Sequence, residues 1–191
     1  MEHHDNVFFE NLHIKVLFAL GCAVVYFYSF KLNLMIFEWL NFSHGTSWVF
    51  LPSGLRLLFV LVLLNSGAVG IAIASCAINY VYGEPDQHVF KIVTGVISGV
   101  APLIARQICI DFFSLNKNIE NLTGRMYLQI SIVFALVSAL LHQVWYFGNG
   151  ATENFIASSL VMSVGDWFGT VLVLATAALL IKAYRLVSFK R

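Results

Sequence analysis

The sequence predicts an all-α integral membrane bundle of six transmembrane helices, with a broken second helix and a short interfacial segment. Three observations predict it. Of 191 residues, 59% are hydrophobic and 11% charged, with mean hydropathy +0.81, whereas a soluble domain carries about 25% charged residues. Apolar stretches recur at lengths near the roughly 20 residues that a spanning helix needs. Polar or turn-forming residues separate them, with no linker that would divide residues 1–191 into two domains.

The first helix is expected over 12–30. The N-terminus before it, Met1-Glu2-His3-His4-Asp5, is acidic and lacks the basic region of a signal peptide. No small-residue cleavage site follows the stretch, so the helix is expected to stay in the mature protein. Residues 33–45 are too short to span. Their Met35-Ile36-Phe37-Glu38-Trp39-Leu40 run suits a short helix at the interface, or a re-entrant piece.

The second helix is expected over 46–64, interrupted at Pro52-Ser53-Gly54. Proline removes a backbone donor and glycine loosens the chain, so a helix breaks and restarts there. Asn65-Ser66-Gly67 then allows only a tight hairpin into a short third helix, 68–82. The fourth, fifth and sixth helices are expected over 89–113, 126–147 and 156–184. Small residues at i and i+4 let backbones approach, as at Ala19/Ala23, Gly95/Gly99 and Ala135/Ala139.

Lysine and arginine in the loops set orientation. Lys117 and Arg125 flank the loop after the fourth helix; Lys182, Arg185, Lys190 and Arg191 crowd the C-terminus. The loop after the fifth helix has neither, and Gly83-Glu84-Pro85-Asp86 is acidic. Both termini are therefore expected in the cytoplasm, with 43–54 near the outer side. Lys31 and Lys91 run against this pattern. A net charge of +1 gives no electrostatic case for nucleic acid.

Ionisable groups inside hydrocarbon are costly and rarely face lipid. Asp166 stands within the last apolar stretch, in Gly165-Asp166-Trp167-Phe168-Gly169. It is expected to face protein, water or a ligand, with Gly165 and Gly169 opening a groove beside it and Trp167 lining a pocket. Arg56 falls in the first turn of the restarted helix, with Ser53 as its natural cap. Free N–H groups, a positive dipole end and a guanidinium together suit an anion. A kink with Arg56 paired internally, or reaching the headgroups, is the plainer alternative. Arg106 and Asp111 form a cytoplasmic charge cluster, or Arg106 reaches inward to pair with Asp166 or a ligand. His142 and Gln143 lie near the outer end of the fifth helix.

Cys22, Cys76 and Cys109 each sit in apolar runs, without paired metal spacing. His44 and His142 are the candidate axial ligands for haem, but no sequence spacing links them, and His3, His4 and His13 at the terminus are weak evidence for metal. No cofactor or metal is expected. Without a nucleophile elbow, P-loop, zinc spacing or dinucleotide fingerprint, no enzymatic activity is expected either. Trp39, Trp48 and Trp145 read as interfacial belt residues.

The run Phe50-Leu51-Pro52-Ser53-Gly54-Leu55-Arg56-Leu57 resembles a segment of the membrane-associated sensor domains that head many bacterial signalling proteins. Gly165-Asp166-Trp167-Phe168-Gly169 is similar to their closing Gly-Asp helix. Those domains usually have about eight helices and a fused signalling module, and this chain departs on both counts. The resemblance implies a shortened, free-standing sensory protein of the bacterial inner membrane, working through a protein partner. Ala19-Leu20-Gly21-Cys22-Ala23 resembles the coupling contact of substrate-capture subunits of energy-coupling-factor transporters, which have six helices. A structural subunit of a larger membrane complex is the third alternative. In the first, Ser53, Arg56, His142, Asp166 and Trp167 form a polar ligand pocket, with Arg56 holding a small anionic group.

Overall fold

The computed structural model describes residues 11–83, 86–117 and 123–188. His3, His4, Glu84, Pro85, Lys190 and Arg191 lie outside the described residues, as do the side chains of Lys182 and Arg185.

Among the described residues the chain is all-α apart from one small hairpin. Among the described residues there are six α-helices: α1 Leu12–Phe37, α2 Pro52–Leu63, α3 Asn65–Tyr82, α4 His88–Phe112, α5 Gly124–Gly148 and α6 Phe155–Ser188. Between α1 and α2 come a 3-10 turn, Glu38–Leu40, and two antiparallel strands, β1 Asn41–Ser43 and β2 Thr46–Ser47. Four helical stretches are long and apolar enough to cross a membrane: Leu12–Leu40, His88–Phe112, Gly124–Gly148 and Phe155–Val173. At 12 residues, α2 rises only about 18 Å.

That short helix is the centre of the bundle. It packs against all five others, which neighbour one another around it in the order α1, α3, α4, α5, α6. One side of α2, through Leu57 and Leu61, meets Ala101, Ala105, Ile130 and Phe134 of α4 and α5. Val60 meets Tyr26 of α1 and Ile71 and Ala74 of α3. The outer surface is apolar, with Leu17, Met35, Ile73, Leu136 and Leu160 all exposed. Small residues make the close contacts: a Cβ on Gly99 would meet the Ala68 carbonyl, and one on Gly70 the Ala19 carbonyl. The Gly95/Gly99 pair thus serves the α3–α4 contact, as its spacing suggests.

Three expectations need correction. First, α1 does not end near residue 30 but runs to Phe37. Nothing from 23 to 44 is glycine or proline, and Asn33 is buried with its side chain in use (below). The supposed interfacial helix is the end of α1, the 3-10 turn and the hairpin. Second, no helix covers 46–51, so α2 is not the second half of a broken helix. It starts at Pro52, whose missing N–H costs nothing at a first helical position. Gly45, at φ +62, turns the hairpin before it. Third, Asn65-Ser66-Gly67 is already the first turn of α3. The reversal falls on Leu64 alone, at φ 49 and ψ −122, and a Cβ on Gly67 would strike the Phe59 carbonyl.

Candidate functional site

The segment joining β2 to α2 is non-helical backbone laid against α6. The N–H groups of Trp48, Phe50 and Leu51 are met by protein. The Phe50 N–H donates to the Gly165 carbonyl at 3.1 Å. The Leu51 N–H donates to Asn33 Oδ1 of α1 at 2.9 Å. A Cβ on Gly165 would collide with the Ser47 carbonyl, and one on Gly169 with that of Phe50. The groove expected beside Asp166 therefore exists, but this segment fills it, rather than another helix or a ligand.

That contact carries α2 into register with α6. Ser53 and Arg56 face Asp166. The Ser53 hydroxyl lies 2.6 Å from the Asp166 carbonyl and 2.8 Å from that of Phe50. Thr170 Oγ1 donates to the Asp166 carbonyl at 2.7 Å. One guanidinium nitrogen of Arg56, Nη2, stands 3.0 Å from both carboxylate oxygens of Asp166. Both residues are 1% exposed. The guanidinium carbon lies 5.5 Å from the Phe50 ring centroid and 5.3 Å from that of Phe134, giving the cation two aromatic neighbours.

The anion site expected at the start of α2 is not built. The Ser53 N–H donates to the Phe50 carbonyl and the Gly54 N–H to the Leu51 carbonyl, each at 3.1 Å. The first-turn donors are spent inside the protein, and Asp166 already balances the charge of Arg56. Asp166 pairs with Arg56 and not with Arg106. Arg106 donates instead to the Lys117 carbonyl beyond the end of α4, while Asp111 accepts from Gln107 Nε2 at 2.8 Å. The two residues do not form one cluster.

Arg56 also lines a cavity of about 240 Å³, bounded by the hairpin, the C-terminal ends of α1, α3 and α5, and the N-terminal half of α4. His142 lines it too. Ser53 and Asp166 stand behind Arg56, and Trp167 is not part of the lining. Trp167 is half-buried beside Phe168, and its Nε1 has no hydrogen-bond partner among the described residues.

The polar wall of the cavity is a chain of hydrogen bonds across three helices. His142 Nδ1 lies 2.8 Å from the Ser138 carbonyl. A carbonyl only accepts, so Nδ1 carries the proton, and in a neutral ring Nε2 then accepts. Its neighbour is the Ser98 hydroxyl at 3.1 Å, and Ser75 lies 3.0 Å beyond that. With both ring nitrogens engaged, His142 is not disposed as an axial ligand. No group of three or more metal-binding side chains occurs among the described residues.

The sequence reading passed over Tyr26, Asn33, Ser75, Thr94, Ser98 and Tyr146, all of which line the cavity. A signal existed for part of this set. Thr94 and Ser98 are spaced i, i+4 and lead into Ala101 and Ala105 on one buried stripe of α4. Ser138, His142 and Tyr146 repeat that spacing on α5.

The roof is the hairpin. Gln143, fully buried, donates from Nε2 to Thr46 Oγ1 at 3.0 Å and accepts at Oε1 from Thr152 at 3.3 Å. Ser43 lies 3.2 Å from Ser158 of α6. The His44 ring packs edge-on against Phe90 and Tyr146, at 5.5 and 5.3 Å between centroids.

Comparison of the chain with protein-family models, with curated proteins and with solved structures returns no match. The chemistry of this end of the bundle is what bears on function.

Proposed function

We propose that the chain is a multi-pass membrane protein that binds a small molecule in the cavity beneath the hairpin. It acts as a non-enzymatic input element of sensor type and passes the bound state to a protein partner. Its place is the bacterial inner membrane, with both termini cytoplasmic and the hairpin outside. The carrying observation is the cavity itself: about 240 Å³, with Arg56 and His142 in a wall of aromatic and hydroxyl side chains. A concave, mostly apolar space with a few convergent polar groups is the usual form of a ligand site. The apolar exterior and four long apolar helices support the membrane reading.

Coupling needs two states with different affinity for the ligand. The hairpin is the element suited to supply them. It closes over the cavity and is tied to α5 and α6 by a few side-chain hydrogen bonds. Its movement would reach α2 through residues 48–51.

One observation favours a second reading, a structural subunit of a larger complex. The Arg56–Asp166 pair is closed on itself and 1% exposed, as expected of a device that holds helices in register. Native mass spectrometry of gently extracted protein separates the two. Under the sensor reading, wild-type protein retains a small molecule that Ser75→Leu, which fills the cavity from α3, does not. If both release the same species, or neither releases any while both retain the same protein subunits, the structural reading replaces it.

A further inference from the structure

We infer that the cavity takes a small, flat, uncharged molecule bearing both a hydrogen-bond donor and an acceptor, of the carboxamide class. This rests on the cavity being a ligand site, and three observations carry it.

The first is charge. Among the described residues the lining holds one formal cation, Arg56, and no aspartate, glutamate or lysine. Asp166 offers both carboxylate oxygens to Arg56 at 3.0 Å from behind the wall. An anion entering the cavity has to compete with that carboxylate for the same guanidinium. A cation finds no carboxylate to meet. Either would be partly desolvated without a counter-charge, which is unfavourable.

The second is the pattern of unused polar atoms. Arg56 Nε is buried and has no hydrogen-bond partner among the described residues. The Thr94 hydroxyl, 3% exposed, faces Tyr146 without meeting a partner at hydrogen-bonding distance and angle. Such atoms are uncommon in a finished interior and call for a partner. Across the space stands the hydrogen-bonded row of His142, Ser98 and Ser75. The single Ser98 hydrogen goes to Nε2 or to the Thr94 carbonyl, 3.1 and 3.0 Å away, so Ser75 donates to Ser98, which leaves the Ser75 oxygen as an acceptor. Arg56 and Ser75 both line the cavity, so a guanidinium and a hydroxyl acceptor meet there, the complement of a carbonyl joined to an N–H.

The third is shape. Tyr26, Phe30, Phe50, Tyr82 and Tyr146 put flat rings around the cavity. At about 30 Å³ per water, about 240 Å³ is the space of roughly eight waters. One ring with one substituent is of a size to fill it.

The experiment uses three probes of one shape on the full chain in detergent: benzamide, benzoate and benzylamine. Binding is read from the concentration dependence of the melting temperature. Benzamide is expected to raise it, benzoate to need at least about tenfold more for the same shift, and benzylamine to have no effect. Thr94→Val keeps the side-chain shape and should weaken benzamide about fivefold through one lost hydrogen bond. Ser75→Leu should abolish the shift. Benzoate or benzylamine binding best, with the shift lost in Ser75→Leu, overturns the uncharged class and leaves the cavity as a ligand site. No shift from any probe, or shifts that persist in Ser75→Leu, overturns both.

Discussion

Arg56 and Asp166, 110 positions apart, share one ion pair in which a single guanidinium nitrogen faces both carboxylate oxygens at 3.0 Å. The pair joins the central helix α2 to the outer helix α6 at a level where neither side chain meets solvent. A buried pair of this kind is not in itself a large source of stability, because desolving two charges offsets much of their attraction. Its consequence is specificity. With α2 shifted along α6, each charge would stand alone in an apolar interior.

Removing one partner should therefore cost far more than removing both. Asp166→Asn leaves a buried guanidinium without a counter-charge and is expected to destabilise the protein by about 3–5 kcal/mol. Arg56→Met together with Asp166→Leu should recover most of that loss. The measurement is thermal unfolding of Arg56→Met, Asp166→Leu and the double variant in one detergent. A double variant as unstable as the sum of the singles would show that the two side chains act independently.

The approach of residues 47–51 to α6 depends on the absence of two side chains. Gly165→Ala would drive a Cβ into the Ser47 carbonyl, and Gly169→Ala one into that of Phe50. Backbone cannot swing aside as a flexible side chain does, so either change should cost about 1–3 kcal/mol or more through overpacking. Gly21→Ala on α1 is the contrast. A Cβ there meets nothing within 4 Å, and alanine is the better helix former by up to about 1 kcal/mol. Melting temperatures of the three variants should fall for the first two and hold or rise for the third.

The chemistry of Asp166 and Arg56 was legible in the sequence as charge that must be sheltered, because apolar flanks leave few alternatives. Their pairing was not, since Arg106 offered an equal partner until the fold turned its side chain to the Lys117 carbonyl, beyond the end of α4. The spacing of Gly165 and Gly169 announced a close approach but not its occupant. Thr46, Ser47, Trp48, Val49, Phe50 and Leu51 carry no mark of a strand and loop, since hydropathy weighs them as it weighs a helix. What decides their conformation is tertiary: Asn33 caps Leu51 and Gly165 accepts from Phe50. The cavity was least legible. Ser75, Thr94 and Ser98 are ordinary residues in apolar helices, and only their convergence on one space gives them meaning.

Gln143 is the bolt of the hairpin. Its amide joins Thr46 on the roof to Thr152 in the connection between α5 and α6. Gln143→Leu keeps the bulk and removes both hydrogen bonds, leaving the buried Thr152 hydroxyl without its acceptor and Thr46 with the His44 carbonyl alone. A loss of about 1–3 kcal/mol is expected, concentrated at the hairpin. Amide hydrogen exchange should quicken across residues 41–51 and stay unchanged in the middle of α4. Uniform acceleration through the bundle would mean that the roof and the core open together, and that the hairpin is not a separately moving element.

The fold also fixes which loops share an end, independently of the direction in which the bundle sits. The hairpin, Gly83 and Tyr146 meet around one cavity, so the α3–α4 and α5–α6 connections lie on the hairpin side and the α4–α5 connection on the other. Single cysteines at exposed Asp86 and Glu153 should react with a membrane-impermeant maleimide from one face, and those at exposed Lys117 and Arg125 from the opposite face. Cys22, Cys76 and Cys109 would first be replaced by alanine. With the proposed orientation, in which the loop lysines and arginines stay cytoplasmic, the first pair is expected to label in intact cells and the second only after permeabilisation. Labelling in the reverse sense would invert the orientation and leave the bundle standing. A split within either pair would contradict the fold itself, since no insertion of this bundle puts Asp86 and Glu153 on different faces.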